Sequence, residues 1–260
     1  MMEFSAEDIA DLREARELLE NPRLAARMSQ VIGAPLEKGM DLLPEALSGR
    51  LDELVQGALL KAAQAALFTL ADAPGRSASE RWHKVGVTVS GGVGGFFGAS
   101  GWIAEFPVST TLILRAIADI ARSEGESITA PETTLACMEV FALGGTSASD
   151  DAAETGYFAV RSALAKYLAE AAEHMARHGF AQGAGPLLSR FVARIAHNFG
   201  VQVSQKFAAQ AMPALGAAGG AAVNALFMSH FQSMARGHFV VRRLERKYGA
   251  QAVRIQYQAL

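Results

Sequence analysis

FAAQAMPALGAAGGAAVNALFMSHFQSMA, residues 207–235, runs for twenty-nine residues between Lys206 and Arg236 without a formal charge, counting His230 as neutral. A second stretch, VGVTVSGGVGGFFGASGWIA at 85–104, runs for twenty residues between Lys84 and Glu105. The chain offers no convincing strand pair. The longer stretch is built on Ala, the best helix former, and both are long enough for several helical turns. Gly91/Gly95, Gly94/Gly98 and Gly216/Gly220 are spaced four apart, and small residues at that spacing let two helix backbones approach closely. The expectation is an all-α domain in which these two Gly/Ala-rich segments form a central, hairpin-like core.

Three readings of the pair stay open. They can be a buried hairpin, a surface that lies on or dips into a membrane, or a spanning pair, since about twenty apolar residues cross a bilayer as a helix. Ser, Thr, Gln and Asn interrupt both stretches and count against spanning. Phe96, Phe97, Trp102 and Ile103 cluster around glycines; they are the candidate contact with a membrane interface or an apolar ligand, or else a cap on the core. The glycine run is not a phosphate loop: SGGVGGFFG lacks the Lys-Ser/Thr ending and no strand-turn-helix unit surrounds it.

Outward from these stretches the chain reads as helices throughout. Ser5 and Asp8 open a first helix that ends near Asn21-Pro22, and a second stops before Gly33. Leu47, Leu51, Leu54, Val55, Ala58 and Leu59 recur at helical spacing in a third. The pattern gives further helices over 80–99, 107–124 and 131–143. Ser149 or Asp150 caps another that reaches His178, and two more run from Pro186 to Tyr248 with a break at Met212-Pro213. Gly125 and Gly249 end helices. Only 252–260, with its Val-Arg-Ile-Gln-Tyr alternation, reads as extended. No Pro- or Ser-rich linker divides the 260 residues, so one domain is the economical organisation.

Half of the residues are apolar and 19% are charged, below the quarter or so of an average domain. A net charge of −2 supplies no reason to bind a nucleic-acid backbone. The lone Cys137 excludes an intrachain disulfide and a cysteine zinc cluster, and sits in an apolar helix as a small core residue. The N-terminus is acidic and amphipathic, without the features of a secretory signal, which places the chain on the cytoplasmic side of any membrane.

Polar residues on apolar helices are the remaining candidates. Glu105, Arg115, Asp119, Glu139, Asp150, Glu154 and Arg161 form a buried polar network if they face inward, because an unpaired buried charge is costly. The sharper alternative is a carboxylate cluster for acid/base work or a metal, but no histidine neighbours these acids in sequence. His174 and His178 are four apart yet lack the Glu directly after the first His of a zinc protease, and GxSxG is absent. No metal, cofactor or catalytic residue is assigned, and the balance is against an enzyme. RRLERKYG, with Arg242, Arg243, Arg246 and Lys247, reads as a solvated helix end or a contact with anionic head groups.

Four stretches together resemble the EcsC family of bacterial proteins: GGVGGFFG at Gly91–Gly98, FPVSTTLILRAIADIARSEGE at Phe106–Glu126, PETTLACMEVFALGG at Pro131–Gly145, and Met212–Gly249. The similarity covers roughly 35–255, leaving 1–34 as an N-terminal helical arm. The family's name comes from an operon that also encodes an ABC transporter, so the resemblance implies an all-helical protein in a membrane-neighbouring context, with no established activity. The functional expectation is a helical accessory protein, peripheral on the inner face of the cell membrane, whose partner is a membrane surface or membrane protein complex. Its alternatives are a soluble carrier of a lipid-like apolar ligand, and an enzyme using a carboxylate or metal cluster.

Overall fold

The computed structural model describes residues 3–20, 24–32, 50–67, 74–75, 78, 98–144, 156–178, 185–211 and 216–260. Among these residues there are nine α-helices and no strand: α1 (Ala6–Glu20), α2 (Leu24–Ile32), α3 (Leu51–Leu67), α4 (Gly98–Ser123), α5 (Pro131–Glu139), α6 (Gly156–His178), α7 (Pro186–Ala211), α8 (Gly216–Tyr248) and α9 (Ala250–Ala259). A single 3-10 turn, Val140–Ala142, extends α5. The side chains of Trp102 and Ile103 lie outside the described residues, as do Gly91, Gly94, Gly95, Phe96, Phe97, Asp150 and Glu154 entirely.

Local chemistry sets the helix ends. At α1 the Ser5 hydroxyl accepts from the Asp8 backbone N–H at 3.1 Å and donates to the Asp8 carboxylate at 2.6 Å, a variant of the capping box. At the end of α4, Gly125 takes φ +84, Glu126 N–H donates to the Ala121 carbonyl and Gly125 N–H to that of Arg122, both at 3.1 Å. That pair of bonds is the Schellman closure, which needs a residue without a Cβ at its left-handed position. α4 also begins earlier than Pro107, which sits inside it. The Thr110 and Thr111 hydroxyls donate to the Phe106 and Pro107 carbonyls at 2.8 Å each, satisfying acceptors close to the proline.

α4 and α8 run parallel, with α7 antiparallel to both. Glu105 of α4 meets Asn224 of α8 at one end, and Glu126 just past α4 meets Arg242 at the other; along α7, Gln210 meets Asn224 while Phe199 stacks on Phe227. Between them sits an aromatic centre. Phe141 lies 4.7 Å from Phe199 and 5.1 Å from Phe231, ring centre to ring centre, and Phe227 lies 5.0 Å from Phe231. Such pairs add about 0.5–1.5 kcal/mol each to the burial of the rings.

The longer uncharged stretch, 207–235, belongs to this centre. It supplies the last turn of α7 and the first turns of α8, and Phe207, Ala208, Ala209, Val223, Phe227, Met228, Phe231, Met234 and Ala235 are all buried. Gly216 opens α8, and Gly220 is buried one turn on. Most of the shorter stretch, 85–104, lies outside the described residues; its last part, from Gly98, forms the start of α4. Among the described residues no helix is long and apolar enough to cross a membrane.

The C-terminus departs from the sequence reading. Residues 250–259 form helix α9 rather than an extended segment. Val253 and Tyr257, four apart, are fully buried, whereas Ile255 is 58% exposed. The apparent alternation was a helical stripe with one exposed apolar residue inside it. Gly249, at φ +87, turns the chain between α8 and α9.

Candidate functional site

Three polar clusters lie along the α4–α7–α8 core, two of them buried and the third part-exposed. The first is at the end where the uncharged stretches begin. Lys206 Nζ is 3.0 Å from Glu105 Oε2 and donates to Ser109 Oγ at 2.9 Å, while Asn224 Nδ2 donates to Glu105 Oε1 at 2.7 Å. The Lys206 side chain has no exposed surface, and Glu105 has 4%. Burial pushes the Lys206 pKa down, with the charge and hydrogen bond of Glu105 opposing. The ammonium also stands 5.2 Å from the centre of the Phe227 ring, within cation–π range.

The second cluster sits halfway along the bundle. Tyr157 Oη of α6 and His238 Nδ1 of α8 are 3.0 Å apart, and His238 Nε2 is 3.8 Å from Glu139 Oε2 of α5. All three side chains are buried. Desolvation raises the Glu139 carboxyl to about 7 against the pull of Arg161 and Arg242. Desolvation and the same two arginines hold His238 well below its usual value, so it is neutral. Arg161 of α6 closes over the group: it binds Glu245 through both terminal nitrogens at 2.7 and 3.1 Å, and its guanidinium lies 5.4 Å from the Tyr157 ring centre.

The third cluster ties down the far end. Glu126 accepts from Arg242 Nε at 2.9 Å, from Thr133 Oγ1 at 2.9 Å, and from Arg246. Burial pushes the Glu126 carboxyl up, but the Arg242 hydrogen bond and the two guanidinium charges outweigh it and hold it below its usual value. Arg243 binds Asp11 at 2.6 Å and Glu124 at 3.0 Å. Lys247 and the Tyr248 hydroxyl both bind Asp8 at 2.7 Å, and with the Ser5 hydroxyl they hold the Asp8 carboxyl far below its usual value. The four basic residues of RRLERKYG are therefore engaged with acids of α1 and of the turn after α4.

Of the candidate network, Glu105 falls in the first cluster, and Glu139 and Arg161 in the second. Asp119 forms an ion pair with Arg122, and Arg115 is half-buried on the same helix. Among the described residues Glu105, Asp119 and Glu139 do not converge on one point, and no group of three His, Cys, Asp or Glu is placed to hold a metal ion. Cys137 is buried in the core, and desolvation pushes its thiol far above the usual range.

Sequence reasoning missed Lys206, Asn224, Tyr157 and His238. Lys206 had been only the boundary of an uncharged stretch. His238 lies seven residues from Phe231 and three from Ala235, on the inward stripe of α8; that spacing was the available signal.

No curated protein and no solved structure matches the chain. The model of the EcsC protein family matches residues 7–244, from α1 into the C-terminal half of α8, a span that contains the first cluster and all of the second but Glu245, while Ser5, Arg246, Lys247 and Tyr248 of the third lie outside it. With nearly the whole described core inside that match, the chain belongs to the EcsC protein family.

Proposed function

We propose that this EcsC family member is a helical accessory protein that associates peripherally with the inner face of the cell membrane, or with a membrane complex such as an ABC transporter, through one uncharged end of its helical core. The observation that carries the reading is the Glu105–Lys206 pair. These residues are the inner boundary charges of the two uncharged stretches, and they meet at 3.0 Å. The start of α4, the end of α7 and the start of α8 consequently share one end of the bundle. In this reading the apolar residues beside that end form a surface patch, and such patches are characteristic of interfaces.

The pairing of the acids supports an accessory role over an enzyme: Glu105 is engaged by Lys206 and Asn224, and Glu139 is shut in beneath Arg161. The aromatic centre is filled by its own rings, which favours contact outside the core over a lipid enclosed in it. In this reading Phe96, Phe97, Trp102 and Ile103 are the apolar contact.

Replacing Phe96, Phe97 and Trp102 together by serine tests this directly. Each large apolar side chain buried in the bilayer interface contributes about 1.5–3 kcal/mol. The triple variant is expected to lose at least about tenfold in partition to liposomes with an unchanged far-UV spectrum. Unchanged partition of a folded variant would remove these residues from the contact.

A further inference from the structure

An open groove of about 550 Å³ runs between α6 and α7, lined by Lys166, Tyr167 and Glu170 on one side and Arg190, Arg194 and His197 on the other. Its charge is unbalanced in a chain whose net charge is −2. Glu170 is the one acid among these six, and it stands 4.0 Å from Lys166. Arg190, Arg194 and His197 are exposed and make no hydrogen bond or ion pair with the described residues. Elsewhere the arginines of the core are engaged: Arg122 with Asp119, Arg161 with Glu245, Arg242 with Glu126 and Arg243 with Asp11.

Arg190 and Arg194 are one helical turn apart on α7, with His197 a turn further on, so the three share one face. Two guanidinium forks at that spacing match the oxygens of a phosphate group, which each can hold through paired N–H donors. The Tyr167 hydroxyl and the Lys166 ammonium add donors from the facing helix. The volume is that of a small-molecule site rather than a macromolecular footprint.

We infer that the α6–α7 groove is a binding site for a small soluble phosphate-bearing anion, held by Arg190 and Arg194 with Lys166, Tyr167 and His197 around it. The choice of a soluble ligand over a lipid head group rests on the proposed membrane-facing end. Nine to sixteen residues of α7 separate His197 and Arg190 from Lys206, which at ~1.5 Å per residue sets the groove about 14–24 Å back from the uncharged end.

Calorimetric titration of the full chain with inorganic pyrophosphate at low ionic strength tests the site without any membrane, so its outcome is independent of the proposed function. One binding event is expected, weakened at least about tenfold in Arg190→Glu/Arg194→Glu and several-fold in Arg194→Gln, which removes one fork without reversing charge. Arg177→Glu, a charge reversal at an exposed α6 arginine paired with Glu173, is expected to leave the affinity within about twofold. Absence of binding to the wild-type chain, or equal losses in Arg177→Glu and the groove variants, overturns the site. A parallel flotation arm compares phosphatidylcholine vesicles with and without phosphatidic acid. Flotation that depends on phosphatidic acid and is abolished by Arg190→Glu/Arg194→Glu would assign the phosphate to a head group and overturn the soluble ligand; flotation indifferent to that variant supports it.

Discussion

Lys206 shows how much depends on single buried charges in this core. An ammonium with no exposed surface is tolerated only because Glu105, Ser109 and the Phe227 ring surround it. Lys206→Met is expected to destabilise the protein by about 3–5 kcal/mol, because it leaves the Glu105 carboxylate buried without its ammonium. Adding Glu105→Gln to that variant is expected to restore a large part of the loss, and urea unfolding of the two singles and the double checks it. Full additivity would mean that the pair is not coupled. Glu139 carries a pH signature. Its carboxyl titrates near 7 in the folded protein and near 4.5 in the unfolded chain, so between those values the folded state holds the extra proton. The associated stability is fully present below about pH 4.5 and is lost as pH rises toward 7, a few kcal/mol at about 1.4 kcal/mol per unit. Glu139→Gln is expected to flatten the stability profile over that window and to equal or exceed wild type at pH 7.5. An identical wild-type and variant slope between pH 5 and 7 would contradict the raised pKa. The Glu126 and Asp8 carboxyls are shifted the other way, so their contributions fade only on further acidification.

At the scale of the element, helices were legible in the sequence wherever caps and apolar spacing agreed, and less so where one rule was read alone. Ser5 and Asp8 marked α1, Gly125 ended the α4 region, and Met212-Pro213 fell between α7 and α8. Pro107 misplaced the start of α4, because a proline suggests a first turn, whereas here the helix runs through it from Gly98. α9 was misread because Val253, Ile255 and Tyr257 alternate, whereas burial distinguishes the i, i+4 pair. The glycine that most clearly controls helix packing lies outside both glycine-rich stretches. A Cβ on Gly237 of α8 would stand 2.7 Å from Leu19 Cγ and 3.0 Å from the Ala15 carbonyl of α1. Gly237→Val is expected to cost about 2 kcal/mol or more by overpacking, lowering the melting temperature by several degrees in calorimetry. An unchanged melting temperature would mean that α1 can slide away from α8 at little cost. Of the candidate site, the acids were legible as buried polar residues. Their partners were not, because Lys206, Asn224 and His238 come from 99 to 119 residues away in the chain and one sequence carries no record of such pairings.

Across the whole molecule, the buried charges of the core and the cations of its far end are paired, and the proposed membrane contact falls to the opposite, uncharged end. RRLERKYG was a candidate for head-group contact from composition, but its four cations hold α1 and the α4 turn against α8. Attraction through that segment is therefore expected to be weak, and membrane binding to be apolar in character. Liposome flotation of the purified, detergent-free protein at low and at high salt tests this most directly. The account predicts that the protein floats and that flotation survives high salt, since screening weakens attraction between exposed charges but not apolar insertion. Protein that remains at the bottom of the gradient under both conditions would contradict it.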